Sequence, residues 1–463
     1  MVGDLKRNFE ANVTSRVSDK GRWDYAYRLK NIKGMTQFVT ENQAAILEAS
    51  RLDVGRTPGE WVLEKMAVLG DLKLIVKNLK RWMRPEKKKS PLWMFPSKSY
   101  VMQEPYGVSL VLGAWNYNTT LSLLPCAGAL AAGNACVMKP SELSPNQALV
   151  MAQLLPRYID PACFRVVLGD ATHAAALVEL PWDFVFFTGS TRVGGKIGES
   201  CGRRLIPCAL ELGGKSPTVV DDQCNLPVAC RRIVQSKYIN CGATCVAPDY
   251  LIIIGDENRK QKVLSALDAE IKRQFGNDAS TSGQYGKIVN DMHFNRIKAM
   301  LENGKVFRGG KFDASKKYIE PTIMDQVDLQ SPLMQEEIFG PILPVVRCID
   351  LESAIQFIRE RPKPLALYIY SSQSSRAQHI LSRTTAGSAC VNESVFQYMN
   401  PHLPFGGVGP SGSGGYHGKA SFLEFSHEKS VLARGTAFDI KYRYLPFIGT
   451  KRVQSLFEFL MAL

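Results

Sequence analysis

The chain has 463 residues, of which 45% are hydrophobic and 22% are charged. These proportions are typical of globular domains, and the length predicts two or three of them. The sequence contains no run of ~20 apolar residues, the length that a membrane-spanning helix needs. Its first residues mix charged and polar side chains and therefore do not resemble a secretion signal.

Eleven cysteines and a formal net charge of +14 set further limits. Because no secretion signal precedes them, we expect free thiols in a reducing compartment and a cytoplasmic protein. The positive charge favours anionic partners, but no nucleic-acid-binding motif accompanies it, and we expect no nucleic-acid binding. The basic residues from Lys80 to Lys89 are interpreted as a solvated connector. The apolar tail at 456–463 is expected to pack on a partner subunit, with a peripheral membrane contact as the alternative.

Helical spacing comes first along the chain. Apolar residues such as Trp23, Tyr27 and Ile32 recur at helical intervals within the first 85 residues. From Val108 onward, short apolar runs alternate with helix-length segments, which predicts a doubly wound parallel sheet. The predicted strands are 108–112, 135–139, 164–168, 183–187 and 207–210, and the predicted helices are 121–132, 144–158 and 193–203.

A second alternating series begins after Gly213 and Gly214. Its predicted strands are 218–220 and 250–254, its predicted helices are 228–238 and 260–275, and further units continue to about 392. Two α/β domains should therefore meet near these glycines, and clefts between such domains commonly bind ligands. The glycine-rich residues 404–418 are interpreted as an ordered loop.

Three segments contain residues suited to chemistry. Residues 187–194 (FTGSTRVG) join a strand to a helix whose first N–H groups suit a phosphate, although an ordinary turn fits the pattern better. Residues 240–245 (NCGATC) hold two cysteines that could form a nucleophile site, a metal site or two core thiols, and the lack of further ligands disfavours a metal. Glu211 ends a strand before two glycines, and is a candidate general base or a solvated carboxylate.

Seven segments together resemble the aldehyde dehydrogenase superfamily in order and spacing, and are most similar to its class 3 group. They are 112–117 (LGAWNY), 137–142 (VMKPSE), 187–194, 210–217 (LELGGKSP), 240–250 (NCGATCVAPDY), 335–341 (QEEIFGP) and 404–409 (PFGGVG). The resemblance extends over about residues 20–445. It implies an α/β fold with a Rossmann-like cofactor domain, an α/β catalytic domain and a small β bridging element for oligomerisation.

The resemblance also implies an activity, which is the oxidation of aldehydes to carboxylic acids with hydride transfer to NAD(P). Cys245 would attack the aldehyde carbon to give a thiohemiacetal, from which a thioester would form. Asn116 and the backbone N–H of Cys245 would bind the oxyanion. Glu211 would activate the water that hydrolyses the thioester. No metal is expected.

The same resemblance assigns the cofactor contacts. Lys139 and Glu142 would contact the adenosine ribose, and Glu337 and Phe339 would lie at the nicotinamide ribose and ring. The turn beside the pyrophosphate would be formed by Gly189, Ser190, Thr191, Val193 and Gly194. Because Glu142 should repel the 2′-phosphate of NADP, we expect NAD first and NADP as the alternative.

Domain boundaries follow from the resemblance as well. Residues 1–85 and 106–212 would form the NAD(P)-binding domain, and residues 213–400 the catalytic domain. Residues 86–105 and 401–445 would form the bridging element, which supports a homodimer. Residues 446–463 would form a C-terminal tail.

Three residues depart from the family pattern. Ala243 stands where Gln or Glu usually precedes the nucleophile, and is expected to loosen the loop. Asn118 replaces a proline and is expected to add a polar group near the substrate entrance. Gln235 stands where several relatives have a tryptophan in the substrate tunnel. The class and chain length of the aldehyde are therefore not predicted.

Three competing hypotheses are a CoA-acylating dehydrogenase, a non-enzymatic scaffold and a cysteine hydrolase. CoA-acylating enzymes usually lack a glutamate like Glu211. The presence of Cys245, Glu211 and Asn116 together disfavours a scaffold. No histidine in the motif lies beside Cys245 to serve a hydrolase.

Overall fold

The computed structural model describes residues 1–15, 24–439 and 441–462. Within them the α-helices, numbered in chain order, are α1 (Val2–Ser15), α2 (Tyr25–Glu41), α3 (Gln43–Val54), α4 (Pro58–Trp82), α5 (Asn118–Ala132), α6 (Pro145–Leu154), α7 (Ala171–Val178), α8 (Thr191–Arg203), α9 (Leu226–Tyr238), α10 (Glu257–Phe275), α11 (Asp291–Met300), α12 (Pro332–Gln335), α13 (Leu351–Arg359), α14 (Ser374–Arg383), α15 (Gly418–Glu424) and α16 (Lys451–Ala462). Trp23, part of the predicted helical pattern, and Leu463, the end of the predicted tail, lie outside the described residues.

The β-strands are numbered in the same way. They are β1 (Glu86–Lys88), β2 (Ser97–Pro105), β3 (Val108–Leu112), β4 (Ala135–Lys139), β5 (Phe164–Val166), β6 (Phe184–Thr188), β7 (Cys208–Glu211), β8 (Pro217–Val220), β9 (Tyr250–Ile254), β10 (Lys305–Arg308), β11 (Phe312–Asp313), β12 (Tyr318–Ile319), β13 (Thr322–Asp325), β14 (Ile342–Cys348), β15 (Ala366–Tyr370), β16 (Ser388–Val391), β17 (Gly412–Ser413) and β18 (Ser426–Arg434).

Four helices, α1 to α4, precede the first sheet, as the helical spacing predicts. The start of α4 is fixed by a capping box, in which the Thr57 side chain accepts from the Glu60 N–H and the Glu60 carboxylate accepts from the Thr57 N–H. Pro58 occupies the first turn, where its missing N–H costs nothing. The buried face of α4, which includes Trp61 and Leu72, packs against α2 and α5.

The first large sheet has the strand order β17-β7-β6-β3-β4-β5. Strands β7, β6, β3, β4 and β5 are parallel, and β17 joins the edge antiparallel to β7. Every residue of the central strand β3 is buried, because helices cover both faces of a doubly wound sheet. This arrangement confirms the predicted parallel α/β sheet.

The second large sheet has the order β10-β13-β14-β9-β8-β15-β16 and is parallel apart from the β10–β13 pair. The chain passes from the first sheet to the second between the end of β7 and the start of β8. Gly213 and Gly214 lie in this short connection. The carboxyl ends of β7 and β3 therefore lie close to the point where the chain changes sheets, the usual place for a ligand site.

A third, smaller sheet contains β1, β2 and β18 in that order, all antiparallel. Strand β18 pairs with β2 along nine residues, from Ser426 opposite Pro105 to Arg434 opposite Ser97. The interpretation of residues 80–89 as a connector is wrong in part. Lys80 lies in the last turn of α4, and Lys88 ends the paired strand β1. The side chains of β1 are exposed and charged, so the sequence shows no strand pattern there, although the backbone of β1 pairs with β2.

Predicted element boundaries differ mainly at helix starts. Helix α10 begins at Glu257, three residues before the predicted start, and the Asp256 side chain accepts from the Arg259 N–H to cap it. Helix α8 begins at Thr191 rather than at residue 193. These first turns are polar and face solvent, so the hydrophobic period begins only after the helix has begun.

A buried arginine satisfies the carboxyl end of α5. Arg28 of α2 donates from its guanidinium to the carbonyl oxygens of Ala131 (3.0 Å) and Ala132 (2.7 Å). Gly133 ends α5 in the left-handed region at φ 98°, where a Cβ would lie 2.3 Å from the Arg28 guanidinium. The cation thus occupies the negative end of the helix dipole inside the protein.

We expect Arg28→Ala to destabilise the fold by about 2–3 kcal/mol, because it leaves buried carbonyl groups without donors. The midpoint of urea denaturation should therefore fall. Arg157→Ala, at an exposed position, is the matched control and should leave the midpoint unchanged. Equal midpoints for Arg28→Ala and the wild type would contradict this role.

Candidate active site

Cys245 lies in a tight loop between α9 and β9 and is partly buried. Two residues of this loop that are not glycine, Asn240 (φ 52°) and Cys241 (φ 53°), adopt the left-handed backbone conformation. Gly242 follows with φ 74°, and a Cβ there would lie 2.3 Å from the Gly340 carbonyl oxygen. The loop is therefore held in one narrow conformation by its surroundings.

The surroundings of the Cys245 thiol disfavour its ionised form. Burial raises its pKa, and the negative charges of Glu337 and Glu211 raise it further. Hydrogen bonds from the backbone N–H groups of Cys245 and Val246 oppose this effect in part. The thiol thus has two carboxylates for neighbours, and backbone donors point towards its sulphur.

Asn116 joins the end of β3 to the loop that contains Cys245. Its side-chain amide is buried and donates to the Ala243 carbonyl oxygen at 3.0 Å. The hydroxyl groups of Tyr117 and Thr244 form a second link at 2.9 Å. An amide that lies after a strand of the first sheet is therefore fixed beside the loop of the second that contains Cys245.

Glu211, the last residue of β7, is buried, and among the described residues neither of its carboxylate oxygens has a hydrogen-bond partner. Burial raises its pKa well above the usual range, and the charge of Glu424 adds to this. The glycine at 406 leaves room for it, since a Cβ there would lie 3.2 Å from one Glu211 oxygen. In its ionised form, such a buried carboxylate can take a proton from water.

Two tyrosines beside these groups were missed by sequence reasoning. The hydroxyl of Tyr416 donates to that of Tyr398 at 3.4 Å, and burial raises the pKa of both. The charges of Glu211 and Cys245 contribute to the shift at Tyr416, so this ring adjoins both groups. For Tyr416 the only sequence signal was an aromatic residue inside the glycine-rich segment 404–418, and Tyr398 lies outside that segment.

The turn at Gly189 connects β6 to α8. Its N–H donates to the Glu211 carbonyl oxygen at 3.0 Å, so the turn lies directly beside the end of β7. Ser190 caps α8, accepting from the Val193 N–H at 3.4 Å and, through its carbonyl, from the Gly194 N–H at 2.9 Å. Three of these residues are exposed, namely Ser190, Thr191 and Val193. An exposed N-terminus of a 13-residue helix can hold a phosphate.

Lys139 and Glu142 lie at the carboxyl end of β4. The buried Lys139 ammonium donates to the Glu142 carboxylate, whose side chain is partly exposed. Strands β6 and β3 lie between β4 and β7, so this pair is separated from Cys245. Such a separation suits an extended ligand rather than a compact one.

Glu337 faces the connection between the two sheets. Burial raises its pKa to about 8, Asp249 adds to the shift, and the Gly214 N–H opposes it. A Cβ at Gly213 would lie 2.2 Å from a Glu337 oxygen, so only glycine leaves this space. The ring of Phe339 packs edge-on against Trp115, with centroids 5.4 Å apart, next to Asn116.

These residues fit a dinucleotide. The exposed start of α8 offers backbone N–H donors for phosphate. The Glu337 carboxylate lies in the space beside Gly213 and could bind ribose hydroxyls. Its charge also acts on Cys245. One end of such a ligand would lie at Lys139, and the other at the thiol. In the described parts of the chain, no group of side chains is suited to a metal ion.

The departures from the family pattern have different outcomes. Asn118 does not line an entrance. It is wholly buried, and its oxygen accepts from the Ser122 hydroxyl at 2.9 Å and from the Ser141 N–H at 3.4 Å. Gln235 is exposed on α9. The Ala243 carbonyl accepts from Asn116 and from Asn240, both at 3.0 Å, whereas the effect of its small side chain on the loop stays a prediction.

All eleven thiols are free. Cys241, the other cysteine of the NCGATC segment, is buried, and its thiol donates to the Gly286 carbonyl oxygen at 3.2 Å. Burial raises its pKa to about 12. Its side chain is thus held in the core, which distinguishes it from the partly buried Cys245.

The chain is similar to known proteins over most of its length. The model of the aldehyde dehydrogenase family matches residues 14–431. The chain is 42% identical over 409 residues to the dimeric NADP-preferring aldehyde dehydrogenase of Rattus norvegicus, covering 88% of this chain and 90% of that protein. It is 38% identical over 439 residues to the 4,4'-diaponeurosporen-aldehyde dehydrogenase of Staphylococcus aureus, covering 94% and 95%.

A solved structure shows the same likeness in three dimensions. The substrate-bound state of Staphylococcus aureus AldH superimposes with a TM-score of 0.93 at 37% identity, and the match covers 99% of each chain. The family model and these relatives extend over nearly the whole chain. The chain therefore belongs to the aldehyde dehydrogenase family.

Proposed function

We propose a residue-level mechanism for the NAD(P)-dependent oxidation of aldehydes to carboxylic acids, the reaction of this family. Cys245 is the nucleophile, Asn116 and the Cys245 backbone N–H are the oxyanion donors, and Glu211 is the general base. The observation that supports this most is the hydrogen bond between Asn116 and the Ala243 carbonyl, which fixes an amide donor next to the thiol loop.

In the first step the Cys245 thiolate attacks the aldehyde carbon. The carbonyl oxygen gains negative charge, which one Asn116 N–H and the Cys245 backbone N–H stabilise. The other Asn116 N–H is already bound to Ala243, so the free N–H has a fixed direction. The product of this step is a thiohemiacetal on Cys245.

Bound NAD(P) supplies the acceptor for the hydride that leaves the aldehyde carbon, and a thioester on Cys245 results. Glu211 then takes a proton from water, and the resulting hydroxide attacks the thioester carbon. Burial and the nearby Glu424 make the Glu211 carboxylate a stronger base, since they raise its pKa. Departure of the acid regenerates the Cys245 thiolate, and Glu211 releases its proton to solvent.

The cofactor contacts follow the same proposal. Lys139 and Glu142 hold the adenosine ribose, and Glu337 and Phe339 hold the nicotinamide ribose and ring. The pyrophosphate lies at the start of α8, along Gly189, Ser190, Thr191, Val193 and Gly194. Because the Glu142 carboxylate is partly exposed and would face a 2′-phosphate, we rank NAD above NADP.

Water rather than CoA is the acyl acceptor in this proposal. The buried Glu211 carboxylate has no hydrogen-bond partner within the described part of the chain, and its charge acts on the Cys245 thiol, which suits the activation of water. A CoA-acylating reaction has no need of a base at that position.

Residues 1–85 and 106–212 form the cofactor domain, residues 213–400 the catalytic domain, and residues 86–105 and 401–445 the bridging element.

A homodimer is part of the proposal. Strand β18 lies at the edge of the three-stranded sheet, and most of its side chains are exposed. An open edge nine residues long can pair with a second chain. The name of the relative from Rattus norvegicus, a dimeric enzyme, agrees with this.

The C-terminal tail suggests a surface contact. None of the described helices is both long and apolar enough to span a membrane. Helix α16 exposes Leu456, Phe459 and Met461, and its first residues, Lys451 and Arg452, are basic. We propose that α16 binds peripherally to acidic lipid. We also propose that the protein is cytoplasmic, since its eleven free thiols suit a reducing compartment.

Glu211→Gln should separate the two halves of the reaction. With aldehyde and NAD, we expect a burst of reduced cofactor of about one equivalent per site and then a stall, because the thioester is no longer hydrolysed. Absorbance of the reduced cofactor in stopped flow measures both phases. Cys245→Ala is the control, and should produce no reduced cofactor while still binding NAD. An undiminished steady rate in Glu211→Gln would remove Glu211 from this role.

The rate should rise with pH between about 7 and 9. Cys245 and Glu211 both act deprotonated, and burial raises the pKa of each, so a larger active fraction forms as pH increases. The measurement is kcat and kcat/KM against pH. In Glu211→Gln the rate of the first turnover should keep only the pH dependence that comes from ionisation of the Cys245 thiol. A wild-type rate that falls steadily over this range would contradict the assignment.

Helix α16 should carry the full chain to the top of a density gradient with phosphatidylserine vesicles at low salt, and raising the salt should release it. Lys451→Glu combined with Arg452→Glu should abolish flotation. Phosphatidylcholine vesicles, which are neutral, are the control. Absence of flotation at low salt would indicate that a second subunit covers the apolar face instead.

A further inference from the structure

The first turn of α4, in the amino-terminal helices, contacts the loop that contains Cys245. Glu60 uses its two carboxylate oxygens differently. One accepts from the Thr57 N–H at 2.9 Å and closes the capping box. The other accepts from the Asn240 N–H at 2.6 Å, across 180 residues of sequence. A single side chain thus links the helix start to the catalytic loop.

Two consecutive residues of that loop, Asn240 and Cys241, have a left-handed backbone, with φ 52° and φ 53°. Such conformations are sparsely populated by residues other than glycine and persist only when the surroundings impose them. The bond from the Asn240 N–H to Glu60 is one such restraint, and it comes from outside the loop.

Asn240 transmits this restraint to the oxyanion donor. Its side-chain amide donates to the Asn116 carbonyl oxygen at 3.1 Å and to the Ala243 carbonyl oxygen at 3.0 Å. The Asn116 side chain donates to the same Ala243 oxygen at 3.0 Å. These bonds form a closed ring through both loops, so a shift of Asn240 would move Asn116 as well.

Arg56 also restrains this ring of hydrogen bonds, through the Asn116 carbonyl. It is wholly buried and donates to the Asn116 carbonyl oxygen, with its guanidinium over the Tyr117 ring at 4.3 Å. Its nearest carboxylate is Glu64, at 3.5 Å, which also accepts from the Thr120 hydroxyl. The start of α4 therefore touches both chain segments that meet at the oxyanion site.

We propose that Glu60 is a positioning residue for catalysis, which fixes the Cys245 loop and, through Asn240, the direction of the Asn116 amide. It does not touch the substrate. The inference rests on the proposed function, since it presumes that Asn116 and Cys245 act in the first step. A displacement of about 1 Å at reacting groups can cost about 10²-fold in rate, so a support of this kind is measurable.

A purely structural role for Glu60, as a helix cap, is the alternative. Thr57 allows the two roles to be separated, because the capping box has two bonds. Thr57→Ala removes the bond from the Glu60 N–H and leaves the contact with Asn240. Glu60→Ala removes the other capping bond and the contact with Asn240. Both variants weaken the start of α4, and only one of them frees the loop.

The test compares wild type, Thr57→Ala and Glu60→Ala as full-length enzymes with NAD and one aldehyde. Stopped flow gives the rate constant of the first turnover, which reports thiol attack and oxidation without hydrolysis. Urea denaturation gives the stability of each variant, and quenching of protein fluorescence gives the affinity for NAD. Both variants should lose similar stability and bind NAD as the wild type does.

Glu60→Ala should slow the first turnover about 10- to 100-fold, and Thr57→Ala should stay within about twofold of the wild type. Equal first-turnover rates in Glu60→Ala and Thr57→Ala, with an active wild type, would overturn the positioning role and leave a helix cap. A wild type that never reduces NAD with any aldehyde would instead contradict the proposed function. The two failures are thus distinguishable.

Discussion

The hydrogen bond from the Asn116 amide to the Ala243 carbonyl, 3.0 Å long, ties the carboxyl end of a strand in one sheet to the loop of the other that contains Cys245. Neither segment could hold a reactive geometry alone. The Asn116 segment is a turn after β3, and the Cys245 loop has a left-handed backbone at two residues that are not glycine. Joined, they fix an amide donor beside a thiol, and fixed donors are the larger part of oxyanion stabilisation.

Electrostatics around this bond oppose ionisation of the thiol. Two carboxylates, Glu211 and Glu337, raise the pKa of Cys245 in addition to burial. The same low-polarity surroundings raise the pKa of Glu211 and make it a better base. A carboxylate at Glu211 therefore lowers the thiolate fraction of Cys245 at neutral pH, while burial makes that carboxylate a stronger base towards water. Since burial raises the pKa of both groups, the ionised fraction of each should rise with pH.

Much of the fold could be predicted from local patterns. Strands 108–112, 135–139 and 250–254 are continuous apolar runs, and their bounds agree with β3, β4 and β9. Asn118 was assigned wrongly, because its environment is set by Ser141, which is remote in sequence. Glu60 gave no local signal, since its hydrogen bond to Asn240 in the Cys245 loop forms only in the fold, and Tyr416 gave no more than an aromatic ring in a glycine-rich segment. The identification of Cys245 itself depended on family resemblance, not on the spacing of two cysteines.

The central claim is that the acyl group passes through Cys245. Quenching the enzyme with acid during turnover, followed by proteolysis and mass spectrometry, tests it directly. The account predicts an acyl mass on the peptide that contains Cys245, and a larger acylated fraction in Glu211→Gln, where hydrolysis is slowed. An acyl mass on Cys241 or on another residue, or none on Cys245 during active turnover, would contradict it.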